Sequence, residues 1–316
     1  MSRLDRTRVA TAAVVVLLAA TAGCGDTGDP RPSSSGTSST PAATSREHGT
    51  WLLRFTTASG ADGARTGAAY VTFEPITGRT AVRTVPGAIG SDANQDEQVL
   101  LVSADHRWAI PDTGVPASQS RSGKLVLYSL SGDTTETLDI RAVTGDPTLE
   151  AVAWAFDPTD AGLLRVVDHR RGVWKVDLPA RSATKERVLP KRPGWIFGNG
   201  FDQTTGEPYV ESIDSDETDP PGNGDADVRP LQRQGGTVLQ LSGDPVDGLP
   251  TPPCGFAGGF RFDDGDAWLF CADTPSISAY RLGEGADAGW VPVGPASARV
   301  VPATAVELAF ALPPVG

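Results

Sequence analysis

The chain has 316 residues, a formal net charge of −12 and 39% apolar content. An acidic balance of this size argues against nucleic acid or anionic lipid as the main partner. The apolar share is ample for a packed core.

The first residues carry a short basic region, Arg3, Arg6 and Arg8, followed by an apolar run over residues 9–20. That run is shorter than the roughly 20 residues a spanning helix needs. It has the length and flanks of a signal-peptide core. It ends in Thr21-Ala22-Gly23-Cys24. Small residues at 22 and 23 let a peptidase approach the backbone, and the Cys24 thiol supplies a site for lipid attachment.

This stretch resembles the lipobox of bacterial lipoproteins, in which the cysteine is diacylated and becomes the first residue of the mature chain. The resemblance covers residues 1–24 and departs from the family at Thr21, where leucine is usual. It implies a signal peptide over 1–23, cleavage between Gly23 and Cys24, and a palmitate-type anchor holding the protein on the extracytoplasmic face of the membrane. Two acyl chains give stable anchoring where one is marginal. The alternative is an ordinary secretory signal cut near Ala22, with Cys24 free. Lysine is rare (Lys124, Lys175, Lys185 and Lys191) and Ala, Gly and Arg are abundant, a bias that resembles GC-rich actinobacterial proteins.

Residues 24–49 read as a stalk. The stretch 25–48 is rich in Ser, Thr and Pro and has no large apolar residue. It cannot bury enough surface to offset the entropy of ordering, so a disordered spacer is expected. His48 is expected to be a solvent-exposed tail residue. With Cys24 lipidated, Cys254 and Cys271 remain as a pair in an oxidising compartment, and a disulfide between them is expected. Two buried free thiols are the alternative.

From residue 50 to 316 no long amphipathic helix is evident. Short runs of β-branched, aromatic and aliphatic residues alternate with Gly, Pro, Asp and Thr, the pattern of an all-β fold. A strand–turn–strand unit recurs. Its copies begin at Tyr70-Val71-Thr72-Phe73, Leu125-Val126-Leu127-Tyr128, Val173-Trp174-Lys175-Val176, Thr237-Val238-Leu239-Gln240 and Ile277-Ser278-Ala279-Tyr280. Further hairpins are expected before several copies, around Leu100–Ile110, Val152–Val167 and Phe260–Phe270. The spacing is irregular against the ~40–50 residues of propeller repeats.

These stretches resemble blades of a WD40-like or TolB-like β-propeller. The resemblance implies five to seven blades, with the run Ala305-Val306-Glu307-Leu308-Ala309-Phe310 completing a first blade beside Trp51-Leu52-Leu53-Arg54-Phe55. The Trp-Asp dipeptide is absent, His106 stands where a turn glycine is expected, and the loop 211–234 is long. Tandem β-sandwiches are the alternative fold.

Candidate chemistry is sparse. Glu211, Asp214, Asp216, Glu217, Asp219, Asp225 and Asp227 crowd one loop. Oxygen-rich loops hold Ca²⁺, which makes Asp214, Asp216 and Asp219 the candidate metal ligands. The spacing fits no EF-hand, and a solvated insertion is the plainer reading. Arg181, Lys185, Arg187, Lys191 and Arg192 form a basic cluster that balances an acidic surface. His106 and His169 fall at turns, where simple surface roles are commonest. HExxH, P-loop, CxxC and Gly-x-Ser-x-Gly patterns are absent.

The first expectation is therefore a lipoprotein whose propeller binds a protein or cell-envelope partner, with no catalysis and no cofactor. A second is a metal-dependent propeller hydrolase or lactonase, with Asp105, Asp157, Asp202 and Asp263 converging on the axis. A third is a carbohydrate-binding module that uses Trp51, Trp195 or Trp290 as a glycan platform.

Overall fold

The structure is a computed structural model that describes residues 46–58, 65–86, 99–111, 122–189, 195–196, 201, 205–208, 211–212, 231–233, 235–241, 246–255, 257–273, 275–285, 288–297 and 305–315. Gly23, Cys24 and the carboxylates Asp214, Asp216 and Asp219 lie outside the described residues.

The fold is all-β, built from separate antiparallel sheets. The first is formed by β1 (Trp51–Ala58), β2 (Arg65–Glu74), β3 (Arg79–Pro86) and β19 (Ala305–Leu312), in the order β19-β1-β2-β3. The early strand β1 is thus paired with the late strand β19, with Leu52 opposite Leu312 and Arg54 opposite Phe310. The expected pairing of Trp51–Phe55 with the 305–312 run is observed.

A three-stranded sheet follows, made of β4 (Trp108–Ala109), β5 (Lys124–Ser129) and β6 (Thr135–Asp139). In β5 the odd residues Leu125, Leu127 and Ser129 are buried while the even ones are not, the period-2 signature of a strand with one face on the core. A five-residue helix, α1 (Ile140–Thr144), links this sheet to the next. Asp139 caps its start by accepting from the Ala142 amide at 3.1 Å.

The next sheet is a four-stranded meander of β7 (Ala151–Phe156), β8 (Leu163–Asp168), β9 (Gly172–Asp177) and β10 (Ser182–Val188). β8 is buried almost throughout, whereas β10 is exposed along most of its length and carries Lys185, Glu186 and Arg187. Charged side chains on an outer strand discourage edge-to-edge association. Lys185 lies 5.4 Å above the Trp174 ring, Arg181 pairs with Glu136 and Arg187 with Glu207, so these members of the basic cluster serve local charge balance. A two-stranded ladder of β11 (Trp195–Ile196) and β12 (Glu211–Ser212) stands apart.

The largest sheet runs in sequence order through β13 (Leu231–Arg233), β14 (Gly236–Leu241), β15 (Ala257–Phe262), β16 (Ala267–Asp273), β17 (Ser276–Leu282) and β18 (Trp290–Ser297). Its outer strand β18 contains Pro292 and Pro295, residues tolerated at a sheet edge because no ladder hydrogen bond is needed there. β19 packs across β14, β15 and β16. Gly258 permits the approach: a Cβ there would lie 3.1 Å from Leu308 Cγ. The Gln240 side-chain amide donates to the Ala309 carbonyl.

One expected hairpin is short and one expected boundary differs. The stretch around Leu100–Ile110 forms a 3₁₀ turn, Val99–Leu101, and the two-residue β4. The backbone closes a short hairpin here, with Val102 bridged to Ala109, the Ser103 amide donating to the Trp108 carbonyl and the Ile110 amide to the Leu101 carbonyl. The Ser103 hydroxyl accepts from the Arg107 and Trp108 amides and tightens its turn. Arg46 and Glu47, which the composition places in the stalk, are docked on the domain by ion pairs described below. His48 is exposed.

Cys254 and Cys271 form a disulfide, with Cα atoms 5.9 Å apart and a sequence separation of 17. It ties the segment before β15 to β16, beside the buried Leu249, Ala257 and Leu269. Replacing both cysteines by alanine is expected to cost about 3 kcal/mol, the scale for closing a loop of this length. The readout is a lower urea midpoint with an equal or larger m-value, since the unfolded chain loses its cross-link; an unmoved midpoint would show that the bridge contributes nothing.

Candidate functional site

A cleft of about 490 Å³ opens where both ends of the described chain meet the largest sheet. Its walls come from the turn before β1 (Arg46, Gly49 and Thr50), from Thr72 on β2, from Asp105 and His106 in the turn before β4, from Phe262 at the end of β15, and from Pro314 and Val315 after β19. A volume of this size suits a small ligand or an inserted side-chain cluster.

The Arg46 wall is held by an alternating chain of charges. Arg46 forks onto Asp264, with Nη1 3.2 Å from Oδ1 and Nη2 2.9 Å from Oδ2, and its Nη1 also donates to Asp266 Oδ2 at 3.0 Å. Asp266 Oδ1 accepts from Arg281 Nε at 2.8 Å, and Arg281 Nη1 reaches Glu47 Oε1 at 3.0 Å. The Arg46 guanidinium lies 3.6 Å above the Phe262 ring. Two indole N–H groups complete the set: Trp268 donates to Asp266 Oδ2 and Trp51 donates to the Arg46 carbonyl. Burial opposes the Arg46 charge, but the two carboxylates outweigh it and raise its pKa. The Arg46 hydrogen bond in turn holds Asp264 below the usual carboxylate range.

His106 forms the opposite wall. Its backbone is left-handed, with φ +57°, a region where a side-chain-bearing residue costs of order 1 kcal/mol and glycine costs little. The expectation of a turn glycine at this position was thus a correct reading of the backbone, occupied by another residue. The His106 amide donates to the Ser103 carbonyl at 2.9 Å and closes the turn. Asp105 is spent on the same turn: Oδ1 accepts from Ser103 Oγ at 2.7 Å and from the Arg107 amide at 3.1 Å. The imidazole itself forms no hydrogen bond among the described residues. Burial, and after it the positive charge of Arg233, pushes its pKa down to about 3. His106 is therefore half-buried and neutral, which corrects the expectation of a simple surface role.

The other candidates divide clearly. Asp157 accepts from Thr159 and Asp160 amides and pairs with the buried Arg165 at 2.7 Å. Asp263 is exposed, and Asp202 lies outside the described residues. Asp105 and Asp157 thus act in their own turns and ion pairs, the habitual role of Asp. Among the described residues no group of three or more His, Cys, Asp or Glu is placed to hold a metal ion. Trp51 is fully buried and Trp290 donates from Nε1 to the Pro250 carbonyl while packing on a core cluster. The Trp51 ring is thus used for packing, while Trp290 is half-buried. The Trp195 side chain lies outside what is described. His169 sits in the β8–β9 turn, where its Nε2 accepts from Arg170 Nε at 3.3 Å.

Sequence reasoning missed the cleft because its residues come from separate stretches. The one local signal was His106 in a glycine-like turn. A scan against protein-family models finds no match, and a search of curated proteins finds none.

Two outcomes follow from the charges. The depressed Asp264 contributes stability that is present above the unfolded carboxylate pKa and lost as pH falls below about 4. An Arg46→Ala variant should be less stable than the parent at neutral pH and approach it in acid, measured by urea unfolding at both. An equal deficit at both pH values would show that Arg46 acts by packing alone.

His106 has a folded pKa below its ordinary 6.5. Its neutral folded state therefore contributes stability that is full above 6.5 and is lost as pH falls from there towards about 3. A His106→Gln variant should show a flatter stability profile between pH 6.5 and the onset of carboxylate protonation; parallel profiles would contradict the assignment.

Proposed function

We propose that this protein is a membrane-anchored extracytoplasmic lipoprotein whose β-propeller-like domain binds a protein or cell-envelope partner through the cleft beside His106. The reading rests first on the left-handed His106, whose unpaired imidazole borders an open cleft. Its ring makes no hydrogen bond among the described residues, which leaves both ring nitrogens for a partner in the cleft. The lipobox at Thr21-Ala22-Gly23-Cys24 and the Ser/Thr/Pro-rich stretch after it support display at the end of a tether. The run of separate antiparallel sheets, and the first sheet completed by β19, support a propeller-like domain. Such folds place loops on a rigid base, where binding surfaces are commonly built.

The test has two arms. Replacing Cys24 by serine should release the protein from the membrane fraction and abolish acyl labelling; retention on the membrane would overturn the anchor. A photo-crosslinking residue at Thr72 or Val315, in the native membrane, should give a discrete adduct that a crosslinker at Lys185 on β10 does not. Identical adduct patterns from the cleft and from β10 would overturn the cleft as the contact site.

A further inference from the structure

We infer that the ligand taken by this cleft carries a carboxylate on an apolar body, with His106 as its direct hydrogen-bond donor and Arg233 as the counter-charge behind it. The inference rests on the cleft being the binding site, and it names the chemistry the site selects.

The first observation is a row of residues across the largest sheet. Arg233 is paired with Gly236, and Gly236 with Phe262. Directly paired residues share a face of the sheet, so Arg233 lies on the same face as Phe262, a wall of the cleft. Gly236 between them has no room for a side chain, since a Cβ there would lie 2.4 Å from the Phe260 ring. Arg233 thus starts from the face that carries Phe262, with no side chain at Gly236 between them; it lies behind the cleft lining rather than in it, and its charge reaches His106.

The second observation is that Arg233 is an unmatched charge. Its Nη1 is closed off from solvent and has no hydrogen-bond partner, and no carboxylate among the described residues pairs with it. Burial lowers its pKa to about 10, so it remains charged near neutrality. A buried cation without a counter-ion is expensive, and it projects a positive potential into nearby low-dielectric space.

The carboxylates around the cleft are already matched. Asp264 and Asp266 are taken by Arg46 and Arg281, and Asp105 by Ser103 and Arg107. The guanidinium of Arg46 is likewise occupied. What remains unsatisfied is a neutral imidazole, which offers one N–H donor and one acceptor nitrogen, and the positive field of Arg233. The field favours an anion over a cation, and the imidazole N–H supplies the donor that meets it. Leu52, Phe262, Pro314 and Val315 supply apolar wall around them, and Val315 leaves half of its surface exposed. An anion with an apolar body satisfies both parts of the lining, which an inorganic anion does not.

The experiment is a titration of the full-length protein in detergent, labelled at histidine Cε1. The chain has three histidines, His48, His106 and His169, so single variants assign the signals. The probes are benzoate and propionate, with inorganic phosphate as the anion lacking an apolar body, all at constant ionic strength. Benzoate is expected to shift the His106 signal saturably at pH 7, leave His48 unmoved, and bind more tightly than phosphate. Arg233→Gln should weaken benzoate binding about tenfold, the scale of a unit charge acting over about 10 Å through protein, and Arg233→Lys should restore part of it. Near-UV circular dichroism checks that each variant is folded.

No saturable His106 shift with any probe would overturn the inference. A shift that phosphate reproduces with equal affinity would overturn the apolar part of it. Cleft-specific crosslinks without an anion shift would leave the binding site standing and sink the carboxylate. An anion shift without crosslinks would support the carboxylate and count against a macromolecular partner.

Discussion

The structure depends on one pairing: β1 with β19. A strand near the start of the domain and a strand more than two hundred residues later complete the same sheet. β19 then serves twice, since it also packs across β14 to β16. The aromatic cluster under this seam makes the arrangement favourable. Trp51 sits 5.2 Å from Trp268 and 4.8 Å from Phe270, and Phe73 meets Phe270 edge-on at 6.0 Å. An indole buried to this extent removes about 200 Å² from water, worth roughly 5 kcal/mol before any entropy is counted. Because the partners are so distant in sequence, the chain must close most of its length before this stabilisation appears.

The same seam makes the cleft. Its walls are contributed by the turn before β1 and the segment after β19, so the site exists only when the two ends are together. The Arg46 charge chain holds that turn against the hairpin between β15 and β16. If the chain is tethered through Cys24, a pull on the tether reaches the domain at Arg46 and Glu47. The load then falls on ion pairs with side chains on β15–β17 and on the Trp51 indole hydrogen bond, rather than on the first ladder bonds of β1 alone. Part of this clamp is shielded, since Asp266 is only 10% exposed; the more open Asp264 is screened by salt.

Much of the fold was legible because strands carry their signal locally. The alternation in Leu125-Val126-Leu127-Tyr128, the exposed polar run of β10 and the apolar 305–312 segment each mark a strand by composition and period. Even the non-local pairing of β1 with β19 was within reach once a repeat was seen. The Leu100–Ile110 hairpin was legible too, but it is short, because Ser103 and Asp105 bind backbone amides with their side chains, which a hydropathy pattern does not reveal. Arg46 and Glu47 misled. Nothing in a Ser-Arg-Glu-His sequence distinguishes a solvated tail from one whose charges meet Asp264, Asp266 and Arg281 over two hundred residues away. The buried Trp51 and the bonded Trp290 show the same limit: composition identifies an indole but not which side of it faces water.

His106 and Arg233 carry the functional argument together. Left-handed turn positions hold glycine at Gly78, Gly145 and Gly265, but also Arg171 and Arg181, so the argument at His106 rests on its ring beside the cleft. Arg165 is matched by Asp157, whereas no carboxylate among the described residues pairs with Arg233. The acidic chain as a whole repels anions, and at physiological salt that general repulsion fades beyond about 8 Å. A buried guanidinium acts over a shorter distance and through less water, so it is screened far less. The two effects select in the same direction: an acidic surface discourages casual anions, while a short-range positive site retains one whose apolar body also fits the wall. Such a site discriminates by combining repulsion outside with attraction inside, which attraction alone does not achieve.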